Sequence, residues 1–181
     1  MQTYIAILRS INVSGKNMIK MNELTALFES TGFKKVKTYI QSGNVIFQAG
    51  VKDISQLEKL IQQKIKEQFG LDVPVMVKTK DYLAGVIEGN LFIKRSDVDT
   101  SRLHVTFLSE APNQTNADKI KPEQYLPDEF IIIGSAIYLY CPSGYGNTKL
   151  NNNFFESKLK VTATTRNWKT VNELFNLASS I

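Results

Sequence analysis

Apolar positions recur every second residue in some stretches of this chain and every third or fourth in others, and the changes of period divide it into elements. Thr3 to Ile11 is a β-rich run, followed by the polar, glycine-containing segment Asn12 to Lys20. A helix is predicted from about Met21, with Leu24, Leu27 and Phe28 on one face, ending at Thr31-Gly32 where glycine can supply the left-handed conformation beyond the last turn. Val36 to Gln41 and Asn44 to Ala49 read as two strands of a hairpin turning at Ser42-Gly43. Ile54, Leu57, Leu60, Ile61, Ile65 and Phe69 keep helical spacing up to Gly70, and Val73 to Val77 returns to strand. The order is βαββαβ.

The second half repeats that order after a connecting stretch, Asp81 to Ser101, in which Tyr82 to Ile87 is predicted as a short helix. Leu103 to Leu108 is a strand, Asn116 to Lys121 a short helix, Phe130 to Gly134 and Ala136 to Cys141 a strand pair, Leu150 to Leu159 a helix and Val161 to Thr165 a last short strand. An extra helix runs from Trp168 to Ala178. The expected architecture is α+β: two ferredoxin-like (βαββαβ) sandwiches packed together, residues 1–80 and 81–181, the second with the connecting and C-terminal helices. In the first strand Tyr4, Ala6 and Leu8 share one face and Ile5, Ile7 and Arg9 the other, so neither face is mostly polar. The side not covered by the two helices is expected to meet the other domain or the terminal helix, where Trp168, Val171, Leu174, Phe175 and Ala178 form an apolar ridge.

Composition narrows the classes without naming an activity. At 181 residues, 43% apolar and 22% charged, the chain can bury a sizeable core, which excludes disorder, collagen-like repeats and coiled coil. A net charge of +5 leans weakly towards an anionic partner. The single Cys141 cannot form an intramolecular disulfide, and one Cys with one His makes a thiolate–imidazole metal cage implausible. No apolar run is long enough to span a bilayer, so the expectation is a cytoplasmic protein without membrane contact, metal or cofactor.

Three polar segments are candidates for a site: Asn12 to Asn17, Tyr39 to Asn44, and Thr164 to Trp168. The first and third precede predicted helices, whose free N–H groups and dipole favour an anion, and Lys16, Lys20 and Arg166 would add charge. Asn17 or Asn22 and Asn167 serve equally as helix caps, and Gly15 and Gly43 as turn residues. A fourth segment, Pro142 to Lys149, has the glycines of a phosphate-binding loop. It lacks glycine directly before Lys149 and Ser or Thr directly after it, and Thr148 as a helix N-cap explains the same residues. His104 lies within a strand, Cys141 at a strand end, and Asp97 and Asp99 are too few for a metal site. The run Ser42 to Phe47 lacks the Gly-aromatic spacing of the RNA-recognition signature.

The runs Tyr4-Ile-Ala-Ile-Leu-Arg9-Ser-Ile-Asn12-Val, Lys37-Thr-Tyr-Ile-Gln-Ser-Gly-Asn44-Val, Lys149-Leu150 and Thr165-Arg-Asn-Trp168-Lys-Thr170-Val resemble the bacterial family called domain of unknown function 1697. The likeness spans nearly the whole chain. This sequence departs from it at Ser10 and Ser14, where the family often has glycine, and at Thr148, where serine is common. The resemblance implies a two-part chain of the ferredoxin-like type and carries over no catalytic residues.

Two function classes follow from these residues. In the first, Arg9, Asn12, Lys16, Gln41, Asn44, Arg166 and Asn167 converge on a polar cleft for a small anionic ligand or a nucleic-acid phosphate, unless the same residues only hold loops and domains in place. In the second, the chain is an enzyme acting on a nucleotide-like or phosphorylated substrate, with Lys16, Tyr39 and Arg166 as electrophilic or acid and base groups. A purely structural or protein-interaction role is the remaining alternative.

Overall fold

The computed structural model describes residues 1–181 and holds eight strands and six α-helices. The chain divides into two compact units, Met1–Gly85 with Glu173–Ile181, and Val86–Asn172. In the first unit β1 (Gln2–Leu8), α1 (Met21–Ser30), β2 (Lys34–Tyr39), β3 (Asn44–Ala49), α2 (Ile54–Phe69) and β4 (Val75–Thr79) run in sequence, and α3 (Lys80–Glu88) follows. The sheet order is β2-β3-β1-β4, with every neighbour antiparallel.

Strand alternation sorts the side chains of β1. Tyr4, Ala6 and Leu8 enter a core with Leu24, Leu27 and Phe28 of α1 and Leu57, Ile61 and Ile65 of α2. Phe28, Phe33, Phe47 and Tyr4 form its aromatic centre, with ring centroids as close as 4.6 Å for Phe33 and Phe47. Ile5, Ile7, Ile46 and Met76, on the other face of the sheet, are buried as well. Helix α2 starts where the Asp53 carboxylate accepts a hydrogen bond from Gln56 N–H and ends at Gly70, whose φ of 69° is left-handed. Strand β1 stops three residues short of the expected Ile11, because Ser10 takes a φ of 59° and leaves the extended region.

The second unit contains β5 (Leu103–Leu108), α4 (Gln114–Asp118), β6 (Glu129–Ile133), β7 (Ala136–Tyr140), α5 (Asn152–Leu159) and β8 (Ala163–Asn167), in the sheet order β6-β7-β5-β8. Its neighbours are again antiparallel. Leu108, Ile137 and Leu139 pack against Leu150, Phe155 and Leu159, with Phe130 and Phe154 beside them.

Three local expectations are corrected. Helix α4 starts two residues before the expected Asn116 and ends at Asp118, because the Asn113 side chain caps it by accepting from Thr115 N–H. Asn151, not Thr148, caps α5, accepting from Phe154 N–H at 3.0 Å. Strand β8 runs through Arg166 and Asn167, two residues beyond the expected end at Thr165. Helix α6 (Trp168–Ser179) follows directly; Val171, Leu174 and Ala178 of its ridge are buried, while Trp168 and Phe175 are half-buried.

Candidate functional site

Two of the three polar segments meet at one end of the first unit. Leu8 N–H donates to the Gly43 carbonyl at 2.8 Å, which ties the end of β1 to the turn between β2 and β3. A Cβ on Gly43 would lie 2.7 Å from Ile11 Cδ1 and 2.8 Å from Leu8 Cβ, so only glycine permits this approach. Asn12 makes the second tie. Its Nδ2 donates to the carbonyls of Ile19 and Gln41, both at 2.9 Å, and its Oδ1 accepts from Ile19 N–H at 2.8 Å. One side chain thus closes the loop that follows β1 and fastens it to the hairpin turn.

That loop is dense in left-handed backbone. Ser10, Asn12, Ser14 and Asn17 have φ between 50° and 59°, and Ile40 across from them has 49°. Each such residue costs of order 1–2 kcal/mol relative to a right-handed conformation, so the hydrogen bonds must hold them. Asn17 Nδ2 donates to Ser10 O, and Lys16 N–H to Val13 O. Ser10 and Ser14 are two of these left-handed positions, a conformation that glycine adopts at less cost.

Neither Asn17 nor Asn22 caps α1. Its first turn begins after Lys20 with no side-chain cap, and Asn22 Oδ1 accepts from the adjacent Glu23 N–H. Asn44 is fully buried and donates to Tyr39 O and Ser42 Oγ. Of the expected residues here, Lys16 and Gln41 are exposed and Arg9 and Asn12 half-buried. Around them Val13, Met18 and Ile40 are exposed apolar side chains, and Lys20 is exposed beside them. The unit holding this end carries twelve Lys and Arg against eight Asp and Glu, while the other holds ten against nine.

Arg166 and Asn167 belong to the second unit and point to opposite faces of its sheet. In the β5–β8 register Arg166 faces Val105 and Asn167 faces His104, and neighbours along a strand alternate. The Arg166 guanidinium is buried, and its Nη1 donates to Thr164 Oγ1 and Thr165 O. Burial lowers its pKa to about 10 against the opposing pull of Tyr145, so it stays charged at neutral pH. Asn167 Oδ1 accepts from Thr170 N–H at 2.8 Å and so caps α6.

On the Asn167 face a polar row crosses the sheet. Thr106 Oγ1 and Thr165 Oγ1 share a 2.7 Å hydrogen bond, Thr165 Oγ1 donates to Asn152 Oδ1, and Tyr145 stacks on His104 with centroids 4.8 Å apart. Burial raises the Tyr145 pKa and lowers that of His104, whose Nδ1 has no hydrogen-bond partner. Burial, followed by the Asp128 charge, pushes the Cys141 thiol up to about 11, so it is a protonated core group at neutral pH. Thr148 lies beside it, accepting from Leu150 N–H and donating to Asp128 Oδ2. No three His, Cys, Asp or Glu are grouped to hold a metal ion, and no helix is long and apolar enough to cross a membrane.

The family model described as "Protein of unknown function (DUF1697)" matches residues 1–138. The chain belongs to this family. The DUF1697 match takes in the whole β1 loop and hairpin turn and reaches into β7. Among curated proteins nothing matches. A solved structure described as that of the conserved bacterial protein SP0830 from Streptococcus pneumoniae is similar to this chain. The TM-score is 0.75 over 98% of each chain, at 20% identity. That likeness is one of fold.

Proposed function

We propose that this DUF1697 chain is a binding protein whose first unit recognises a phosphate-bearing anion at the joined β1 loop and β2–β3 turn. The observation that carries the reading is the Asn12 clamp: a loop rich in left-handed residues is held rigid against a second loop, and the exposed groups on it are Lys16, Lys20 and Gln41. Strain retained in a surface loop and fixed by dedicated hydrogen bonds is characteristic of a preorganised site. Lys16 and Gln41 make the contact, Arg9 flanks it, and Asn12 and Asn44 position the two loops. Exposed Val13, Met18 and Ile40 give apolar surface for a sugar or base beside the phosphate. Arg166 and Asn167 have structural parts in their own unit.

Each unit is read as a ferredoxin-like sandwich and as a domain, supported by the βαββαβ order and by sheet orders with the first and third strands of each set at the centre. The single, buried Cys141 supports a reducing, cytoplasmic setting.

Fluorescence titration and thermal-shift measurements with inorganic phosphate, nucleoside triphosphates and single-stranded oligonucleotides test the site. The expected result is binding to at least one class, weakened about tenfold by the double change Lys16→Gln and Lys20→Gln. A steep salt dependence with the oligonucleotide would assign nucleic acid, and a shallow one with a nucleotide a small ligand. Failure of all three classes to bind, or binding unchanged in the double variant, would remove the proposal.

A further inference from the structure

The edge strand β6 of the second unit offers a place for another strand. It ends the order β6-β7-β5-β8, and its sequence, Glu129-Phe-Ile-Ile-Ile133, carries no lysine, proline or bulge to discourage pairing. The two-residue turn Gly134-Ser135 makes Ile133 and Ala136 the closing pair of the hairpin. Alternation from there turns the N–H and C=O of Ile131 towards β7 and those of Phe130 and Ile132 outwards. No other segment hydrogen-bonds those outward groups.

A cavity of about 420 Å³ runs along this open edge, and its walls come from both faces of the sheet. Arg95 pairs with Glu129 and Phe92 lies against Tyr140, the β7 partner of Glu129, which places both on the face of Glu129 and Ile131. Leu91, Pro122, Glu123 and Leu126 complete the lining. Leu91 and Leu126 are 47% and 66% exposed, so the groove is apolar and open to solvent. Its charge is acidic: Glu123, Asp128 and Glu129 line it, and the one cation, Arg95, is held between Glu129 at 2.8 Å and Asp97 at 2.6 Å.

We propose that this groove binds an extended peptide segment of a partner protein by strand addition to β6, and that the segment alternates apolar and basic side chains. Main-chain hydrogen bonds to Phe130 and Ile132 give affinity, the apolar walls receive alternate side chains, and the carboxylates select Lys or Arg. A second copy of this chain is a poor occupant. Its basic edge, β2, carries Lys34, Lys35 and Lys37 with a break in register between Lys34 and Lys37, where Lys35 is left-handed.

The test uses the full chain and the capped peptide Ac-Lys-Val-Lys-Val-Lys-NH2, titrated calorimetrically and by amide chemical shifts. Saturable binding with the largest shifts at Phe130 and Ile132 is expected. Methylating the peptide's alternate backbone nitrogens should weaken it at least tenfold, as should Ile132→Pro, which removes one outward donor at an edge position that tolerates proline. Glu123→Gln should weaken binding a fewfold, and Ac-Glu-Val-Glu-Val-Glu-NH2 should not bind. Lys16→Gln should change nothing, which separates this site from the phosphate site. Equal binding of the methylated or acidic peptide, no binding of the basic peptide at millimolar concentration, or self-association of the chain through β6 would overturn the proposal.

Discussion

Hairpins β2–β3 and β6–β7 hold the same place in two sheets of the same strand order, yet they are built in opposite ways. Strand β2 presents three lysines and a bulge on its edge, whereas β6 presents four apolar residues after a single acid. The first hairpin's turn is packed under β1 and the Asn12 loop. The second turns through Gly134, around which a Cβ would meet nothing within 4 Å. Topology alone therefore does not assign a role to an edge. In the first unit the hairpin is defended along its strand, and its turn is packed against Leu8 and Ile11 and fastened by Asn12; in the second it is open along its strand, and its turn, tied to β5 by Leu108 N–H donating to the Ser135 carbonyl at 2.9 Å, leaves space around Gly134.

The largest effect that would break this contrast is at the turns themselves. Gly43→Ala forces a Cβ into Leu8 and Ile11 at a left-handed position, and overpacking together with backbone strain should cost about 3 kcal/mol. Gly134→Ala meets only the backbone term, about 1 kcal/mol. Urea unfolding monitored separately in the two units would measure both. Equal costs would show that the anchoring at Gly43 is not energetically distinct.

Next comes the clamp. Asn12→Ala leaves Ile19 N–H and two carbonyls without their partner, and about 2 kcal/mol should be lost. Asn151→Ala in the second unit removes an ordinary helix cap and should cost about 1 kcal/mol. If the Asn12 change is the milder of the two, the β1 loop is not held in the way inferred. Ser10→Gly and Ser14→Gly act in the opposite direction, because each relieves a left-handed non-glycine residue. Each should raise stability by about 0.5 kcal/mol after the added chain entropy is counted.

How much of this was legible in the sequence depends on the range of the interaction. Helix α2 was read from Ile54 to Phe69 because its apolar spacing and Gly70 are local signals. The meeting of Asn12 with Gln41 was anticipated only as proximity, since the atoms joined are a side-chain amide and a main-chain carbonyl 29 residues apart. Arg166 and Asn167 were grouped as one polar motif, but strand alternation sends them to opposite faces, and only the β5–β8 register reveals it. Trp168 was expected to head a buried ridge; it is half-buried, so truncating it should cost less than the 3–5 kcal/mol typical of a fully enclosed tryptophan. The β6 groove left no local trace, because an edge is defined by which strand is absent beside it.

The edges themselves give a smaller effect on stability and a clear one on association. Replacing Lys34 and Lys37 by Thr and the left-handed Lys35 by Asn alters exposed side chains and should change the unfolding free energy by no more than about 0.5 kcal/mol. Sedimentation velocity should nevertheless detect more concentration-dependent association than in the wild type, because the charges that repel another strand are gone. Unchanged sedimentation would show that the bulge alone protects β2.

The smallest effect separates the units by pH. His104, the single histidine, lies in the second unit and stacks on Tyr145, and burial lowers its pKa below the ordinary value near 6.5, with the Arg102 backbone opposing. As pH falls below about 6.5 the unfolded chain takes up this proton before the native chain does. Stability contributed by the neutral ring is therefore complete above that pH and declines until the lowered native pKa is reached, after which the loss stops. His104→Phe keeps an aromatic ring against Tyr145 but cannot take the proton. Urea midpoints at pH 8 and pH 5.5 should accordingly fall further for the wild type than for the variant, while carboxylates elsewhere contribute alike to both. Parallel losses in the two proteins would mean that His104 is hydrated enough in the native state to protonate freely, and the second unit would then have no titrating group that distinguishes it from the first in this range.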